Sequence, residues 1–546
     1  MKGTKRTTLY KFRFDGETMD YKELKSYMEL SPFEVQFALT NIAGNFLDRT
    51  LLNAGRGNPN WIATTPRQAF FTLGNFAVLE SKCDCEYIHT GFHPEKTGIY
   101  NNFKQFAKAN PDAPGMKFLE SSVEYGINQL GFEPDSWVYE LSTGSIGDFY
   151  PEPDRILPHV EQVVHKFLIE FLCNNKEKKC KYDLFATEGG TGGIIYVFNS
   201  LMENKLIKKG DKIAIASPIF SPYLEIPRLN DYDLVEVEIM ADPDDDWQYP
   251  DSELEKLKDP SIKAFFVVNP GNPQARAISN AKIKLIADIV KNDNPELIII
   301  SDDVYATFVE NFHSIMAEIP SNTICVYSFS KHMGCTGWRL GVVAIYENNR
   351  IDEMIRNLPE SERADLINRY ESISLDPENM KFIDRLVADS RSVALNHTAG
   401  LSLPQQTQMA LFSLFFMIED NVNYIEGTKK ALNKRIHVLY NALDLPLDYD
   451  RTATNYYAVI DLLKIAENRY NHSFAKWMEQ NYNSVSFVFA LADKESVVIL
   501  PGSGFDAPGW TVRVSLANLR YEAYEEIGKK MLETLDAAYK DYELNQ

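Results

Sequence analysis

Between residues 212 and 346 the chain repeatedly alternates short apolar runs with helical or turn-rich stretches. The runs fall at 212–216, 234–239, 264–268, 297–300, 323–327 and 342–346, several of them rich in Val and Ile. Near-continuous apolar runs this short suit strands covered on both faces. Between the third and fourth runs, Ile283, Ile286, Ala287 and Val290 fall on one helical face, with Ser279 placed as an N-cap. Strand, helix, strand in this order predicts an α/β domain with a large, mostly parallel sheet. Open sheets of that kind build their ligand sites at the carboxyl ends of the strands.

Three successive runs end in polar groups that complement one another. After 264–268 comes Asn269-Pro270-Gly271-Asn272-Pro273; after 297–300 comes Ser301-Asp302-Asp303-Val304-Tyr305; after 323–327 comes Ser328-Phe329-Ser330-Lys331, with Arg339 eight residues on. Taken singly, Asn-Pro and Asp-Asp also fit plain turns. Their order on successive strands is what a turn leaves unexplained. An amine beside a hydroxyl and a guanidinium suits Schiff-base chemistry on a phosphorylated aldehyde, with Lys331 as nucleophile and Ser328 and Arg339 on phosphate. A carboxylate such as Asp302 keeps a pyridine nitrogen protonated, while an amide and a phenol, Asn272 and Tyr305, suit the ring's 3-oxygen. Upstream, 186–193 (ATEGGTGG) enters a helical stretch at 194–202, so backbone N–H groups are free to bind an anion there or simply to make a turn. It is not a GxxxxGK[ST] loop. Phe220, after the 212–216 run, is placed either to stack on a flat ring or to pack in the core.

At 546 residues the chain exceeds what one hydrophobic core supports, which predicts two domains. A formal charge of −21 disfavours a nucleic-acid or anionic-membrane footprint, so an anionic substrate needs cations local to a pocket. No apolar run reaches the ~18 residues of a membrane span, and residues 1–13 lack an apolar segment behind their basic ones. The expectation is a cytoplasmic enzyme with reduced thiols. Cys83, Cys85, His89 and His93 lie within one short segment, whereas structural zinc sites bring ligand pairs from two elements, so no metal is expected. Residues 403–443 read as one long helix, 349–395 as an insertion with apolar residues to bury at 380–387, and 458–463, 497–500 and 511–515 as further strands.

On these residues the chain resembles the fold-type I pyridoxal-phosphate enzymes of the aspartate aminotransferase superfamily. The SxSK…GWRxG loop, the NPxNP turn, the DxxY pair, Gly502-Ser503-Gly504-Phe505 and Arg513-Val514-Ser515 occur in that family's order. The resemblance implies pyridoxal 5'-phosphate as cofactor and Lys331 as the Schiff-base lysine. It puts Asp302 on the pyridine nitrogen, Tyr305 and Asn272 on the 3-oxygen, and Phe220 on the ring face. Gly190, Thr191, Ser328, Ser330 and Arg339 then hold phosphate, and Arg513 clamps the α-carboxylate with a fork that lysine does not copy. Tyr150, in Asp148-Phe149-Tyr150-Pro151, matches a tyrosine that reaches the neighbouring subunit's phosphate, so a homodimer is the minimal working unit. The implied domains are an N-terminal arm with part of the small domain at 1–60, a large cofactor domain at 61–418, and a small α+β domain at 419–546.

Within that superfamily the chain is similar to the aspartate β-decarboxylase group in its length and in three segments, 53–60, 218–225 and 335–339. The implied reaction is loss of CO2 from L-aspartate to give L-alanine, with aspartate transamination to a 2-oxoacid as a side path and assemblies up to dodecamers. Gly57 and Arg56 in the first segment, and Arg391 after the insertion, are the candidates near the substrate, the two arginines facing its second carboxylate. A plain aminotransferase with insertions is the alternative. A regulator built on the same fold carries a DNA-binding module, which neither the first 60 residues nor the charge supplies.

Overall fold

The computed structural model describes residues 13–14, 17–18, 32–44, 50–82, 91–174, 180–228, 232–418, 422–447 and 450–544. Seven strands form the large sheet: β1 (Tyr182–Glu188), β2 (Lys212–Ser217), β3 (Val235–Met240), β4 (Ile262–Val268), β5 (Ile298–Asp302), β6 (Thr323–Ser328) and β7 (Leu340–Tyr346). Their order is β1-β7-β6-β5-β4-β2-β3. All pairings are parallel except those of β7, which runs against β1 and β6. The reversal has a local cause. Only 329–339 joins β6 to β7, too little chain for the dozen or more residues of a parallel crossover. Consequently the lysine at the end of β6 and the arginine before β7 share one edge of the sheet.

The strand β1 was not among the predicted runs, because Asp183, Thr187 and Glu188 interrupt its apolar character. It is nevertheless buried along almost its whole length, with Thr187 fully covered and Asp183 taken up by Arg155 and Lys381.

Helices cover both faces. Helix α1 (Gly190–Glu203) packs on β1, β6 and β7 through Ile194, Val197, Phe198 and Leu201. Helix α2 (Asn280–Asn292) lies on the opposite face and buries Ile283, Ile286, Ile289 and Val290, with Ala287 half-buried. Ser279 does stand at its N-cap position, but its side chain makes no capping bond. The segment predicted as an insertion forms α3 (Arg350–Arg356), α4 (Glu360–Tyr370) and α5 (Phe382–Asp389). Phe382, Ile383, Leu386 and Val387 enter the main core, and Asp389 ties this segment to Ser200 Oγ on α1 (2.6 Å) and to Asn204 Nδ2 at its C-cap (3.1 Å).

The expected single long helix is two, α6 (Leu403–Met417) and α7 (Val422–Ala442), with Ile418 already extended. Beyond them β8 (Tyr457–Asp461), β9 (Leu500–Pro501) and β10 (Thr511–Ser515) form an antiparallel sheet in the order β8-β10-β9. The run predicted at 458–463 ends early because Asp461 caps a new helix at Leu463 and Lys464. Leu52–Asn53 pairs in parallel with Val497–Val498, and Pro32–Ala43 packs on the helix Ser484–Glu495, so the N-terminal segment lies on this C-terminal layer.

Of the Cys/His segment, Cys83, Cys85 and His89 lie outside the described residues, and His93 Nδ1 is 2.7 Å from Asp148 Oδ2. Among the described residues no helix is long and apolar enough to cross a membrane, and no acidic, His or Cys cluster is arranged to hold a metal ion.

Candidate active site

A cavity of about 400 Å³ opens where the carboxyl ends of β4, β5 and β6 meet the small sheet. In register, Val268 faces Asp302 and Asp302 faces Val326, so the three polar strand ends arrive side by side. Asn272, Asp302, Tyr305, Ser328, Ser330 and Lys331 all line the cavity, as do Phe220, Gly190, Thr191, Arg339, Arg56, Gly57 and Arg513.

Asp302 sits at the floor. It is buried, and its Oδ2 accepts from the Tyr223 hydroxyl at 2.7 Å while Oδ1 accepts from Val304 N at 3.2 Å. Burial pushes its carboxyl up to about 6, against the opposing pull of those hydrogen bonds and of Lys331. A desolvated carboxylate in this condition is relieved by a cationic partner.

Lys331 Nζ, half-buried, donates to Gly57 O at 3.2 Å, and Tyr456 Oη donates to the same carbonyl at 2.8 Å. The lysine loop is held from behind, where Trp61 Nε1 donates to the carbonyls of Lys331 (3.1 Å) and His332 (3.0 Å). His332 is itself buried between Thr307 Oγ1 and Thr428 Oγ1, both at 2.9 Å, and burial holds its imidazole well below the ordinary range.

The far wall is an anion cradle. Gly190 and Thr191 begin α1, and Ser328 Oγ donates to Ser330 Oγ at 2.8 Å. Arg339 has a left-handed backbone (φ 56°) that turns its side chain back across the loop, where its guanidinium donates to Thr336 O and Glu188 O. Gly189 has φ 88°, a backbone conformation that favours glycine, and a Cβ there would lie 2.4 Å from that guanidinium. A free helix N-terminus, two hydroxyls and a guanidinium form a donor set without a carboxylate in it, which fits a phosphate.

Opposite stands Arg513, buried between the rings of Tyr457 (4.4 Å) and Phe505 (4.5 Å). Its Nη2 donates to Gly55 O at 2.6 Å and its Nη1 to Asn272 Oδ1 at 3.2 Å, leaving Nε buried without a partner. Burial lowers its pKa, so an incoming carboxylate is favoured there.

Two expected residues stand apart from the cavity. Arg391 is not part of the lining; its guanidinium is engaged by Glu188 and by Tyr196 Oη (3.0 Å), so within this chain it faces no substrate. Tyr150 is 71% exposed and also lies outside the lining. Conversely, Tyr223, Tyr456 and Tyr457 escaped the sequence reading. Tyr223 lies within the segment 218–225, and the doublet 456–457 opens a strand, where tyrosines read as packing aromatics.

Residues 140–530 match the family "Aminotransferase class I and II". A bifunctional aspartate aminotransferase and L-aspartate beta-decarboxylase from a Pseudomonas species is 44% identical over 95% of this chain and 98% of its own. An aspartate aminotransferase from Bacillus sp. strain YM-2 is 25% identical over 74% of this chain and 91% of its own. Among solved structures, aspartate aminotransferase from Thermotoga maritima superposes with a TM-score of 0.58 at 17% identity, covering 94% of this chain and 99% of that one. The chain belongs to the class I and II aminotransferase family.

Proposed function

We propose that this chain removes the side-chain carboxyl of L-aspartate as CO2, yielding L-alanine, and also transaminates aspartate to a 2-oxoacid. The observation that carries this reading is the 44% identity, across 95% of the chain, to a protein with both activities, together with a cavity that holds, besides Lys331 and Arg339, two unlike arginines. Arg513 is buried and Arg56 is exposed at the mouth. A firm hold on the α-carboxylate at Arg513 orients the substrate. A solvated, looser contact of the β-carboxylate with Arg56 does not oppose its departure, as a tight ion pair would.

The residues of the cavity fit pyridoxal 5'-phosphate. When bound, that cofactor supplies an electron sink for the bond broken at the amino acid. Asp302, steadied by Tyr223, pairs with the ring nitrogen. Tyr305 and Asn272 bind the ring oxygen, Phe220 covers the ring, and Gly190, Thr191, Ser328, Ser330 and Arg339 hold the phosphate. Lys331, in the same cavity, is the residue that would hold the cofactor's aldehyde covalently, and its Nζ would move a proton at the substrate's α-carbon. Gly57 O accepts from that amine and keeps it aimed into the cavity. One proton then takes the place of the departed carboxyl on the β-carbon, which balances aspartate to alanine and CO2.

The working unit in this reading is at least a homodimer, supported by the exposure of Tyr150, which is free to reach a neighbouring subunit. Larger closed assemblies and a cytoplasmic location complete the proposal, with 1–60, 61–418 and 419–546 as its domains. The decisive experiment incubates the purified protein, loaded with pyridoxal 5'-phosphate, with L-aspartate and follows alanine, CO2 and oxaloacetate. Alanine and CO2 in equal amounts are expected. Oxaloacetate with a 2-oxoacid acceptor and no CO2 would reduce the function to transamination.

A further inference from the structure

Tyr305 Oη and Tyr457 Oη lie 2.9 Å apart in the wall of the cavity, and both side chains are 3% exposed. A phenol has one hydrogen to give. If Tyr305 spends its hydrogen on the ring oxygen, the hydrogen between the two phenols comes from Tyr457. The charged and titratable groups around the pair are Tyr456, Lys331 and Arg513. Tyr456 Oη and Lys331 Nζ both donate to Gly57 O, and Arg513 donates from Nη2 to Gly55 O and from Nη1 to Asn272 Oδ1, so none of these bonds is spent on either phenol. Room for the Tyr457 oxygen exists only because residue 57 is glycine; a Cβ there would lie 2.4 Å from it. The ring of Tyr457 is fixed independently, by Arg513 on its face and by its place at the start of β8 opposite Ser515.

We infer that Tyr457 is a positioning residue: it donates to Tyr305 and so makes Tyr305 a stronger hydrogen-bond donor to the ring oxygen of pyridoxal phosphate. This rests on the reading of the cavity as a pyridoxal-phosphate site. Hydrogen bonds in a chain polarise one another, so a phenol that accepts a bond donates a better one, most of all away from water. The better the ring oxygen is served as an anion, the less its charge holds a proton on the nitrogen that Lys331 contributes. Tyr457 therefore lowers the pH at which that proton leaves.

The test is a pH titration of the visible absorbance of the loaded protein in four forms: wild type, Tyr457→Phe, Tyr305→Phe and the double variant, with Lys331→Ala as reference. Phenylalanine keeps the ring against Arg513 and removes only the hydroxyl. The Tyr457→Phe midpoint is expected to rise by about 0.5 pH unit, that of Tyr305→Phe by more, and the double variant to match Tyr305→Phe alone. An unchanged midpoint in Tyr457→Phe, or a shift that persists in full without the Tyr305 hydroxyl, would overturn the inference while leaving the site reading intact. A proton titration with the wild-type midpoint that survives in Lys331→Ala, which has no amine there to carry that proton, would overturn the site reading and this inference with it.

Discussion

The hydroxyl of Tyr223 donates to Asp302 Oδ2 over 2.7 Å in a place with almost no solvent, so the one carboxylate at the cavity floor has its orientation set before any ligand arrives. The phenol gains as well: burial and the neighbouring carboxylate push its pKa far up, so it stays a donor at every working pH. A hydrogen bond to a charged group is worth about 1.5–3 kcal/mol. Tyr223→Phe is expected to weaken pyridoxal-phosphate retention by roughly ten- to a hundredfold. Equilibrium dialysis of the cofactor against both proteins checks this, and equal affinity would mean that Asp302 is held by its backbone contact alone.

Arg513 is fixed by two planar contacts and two hydrogen bonds at once, which is a role for a fork and not for a point charge. Arg513→Lys leaves either Gly55 O or Asn272 Oδ1 without its donor and presents the substrate with one ammonium. kcat/KM for L-aspartate is expected to fall at least a hundredfold, about 2.7 kcal/mol, with KM carrying much of the change. Steady-state kinetics of alanine release decides it.

Much of this site was legible because its residues end consecutive strands, and strand order in an α/β domain follows from local pattern. Asn272, Asp302, Tyr305 and Lys331 were placed that way, and the register of β4, β5 and β6 brings them together. What the pattern does not encode is pairing across long stretches of chain. Tyr457 meets Tyr305 across 152 positions, and Arg391 is engaged by Glu188 across 203, where the sequence had suggested a substrate contact. Strand β1 was missed for a related reason, since its Asp183 is satisfied by the distant Arg155 and Lys381.

Those distant pairings include the anchor of the segment 349–395. Asp389, whose side chain is fully covered, accepts from Ser200 Oγ, Asn204 Nδ2, Tyr370 Oη and the Arg369 guanidinium. Because Ser200 lies on α1 and Asn204 caps its carboxyl end, the segment 349–395 braces the helix that opens with Gly190 and Thr191 at the cavity. Asp389→Ala would strand several buried donors and is expected to cost about 3 kcal/mol. Thermal and urea unfolding measure that loss, and phosphate-dependent cofactor affinity is expected to fall with it.

The last prediction concerns pH. Asp303, next to Asp302, points away from the cavity into a cluster formed by Ser301 Oγ (2.5 Å), Ser314 Oγ and Cys325 Sγ (3.6 Å). Burial raises its carboxyl to about 7, above the 3.8 of an ordinary aspartate, and the three hydrogen bonds only partly offset this. A carboxyl whose folded pKa is raised binds its proton more tightly in the folded state, so its contribution to stability is whole below about pH 4 and is lost as pH rises toward about 7. Asp302 adds to the same slope up to about 6 until a cationic ring nitrogen meets it. Cofactor-free protein is therefore expected to lose melting temperature between pH 4 and 7 from these two groups, and Asp303→Asn, which stays neutral, to flatten that slope. Melting curves of the two proteins across this range check the sign: a steeper fall in Asp303→Asn than in the wild type would mean that Asp303 is ionised and stabilised by its three donors.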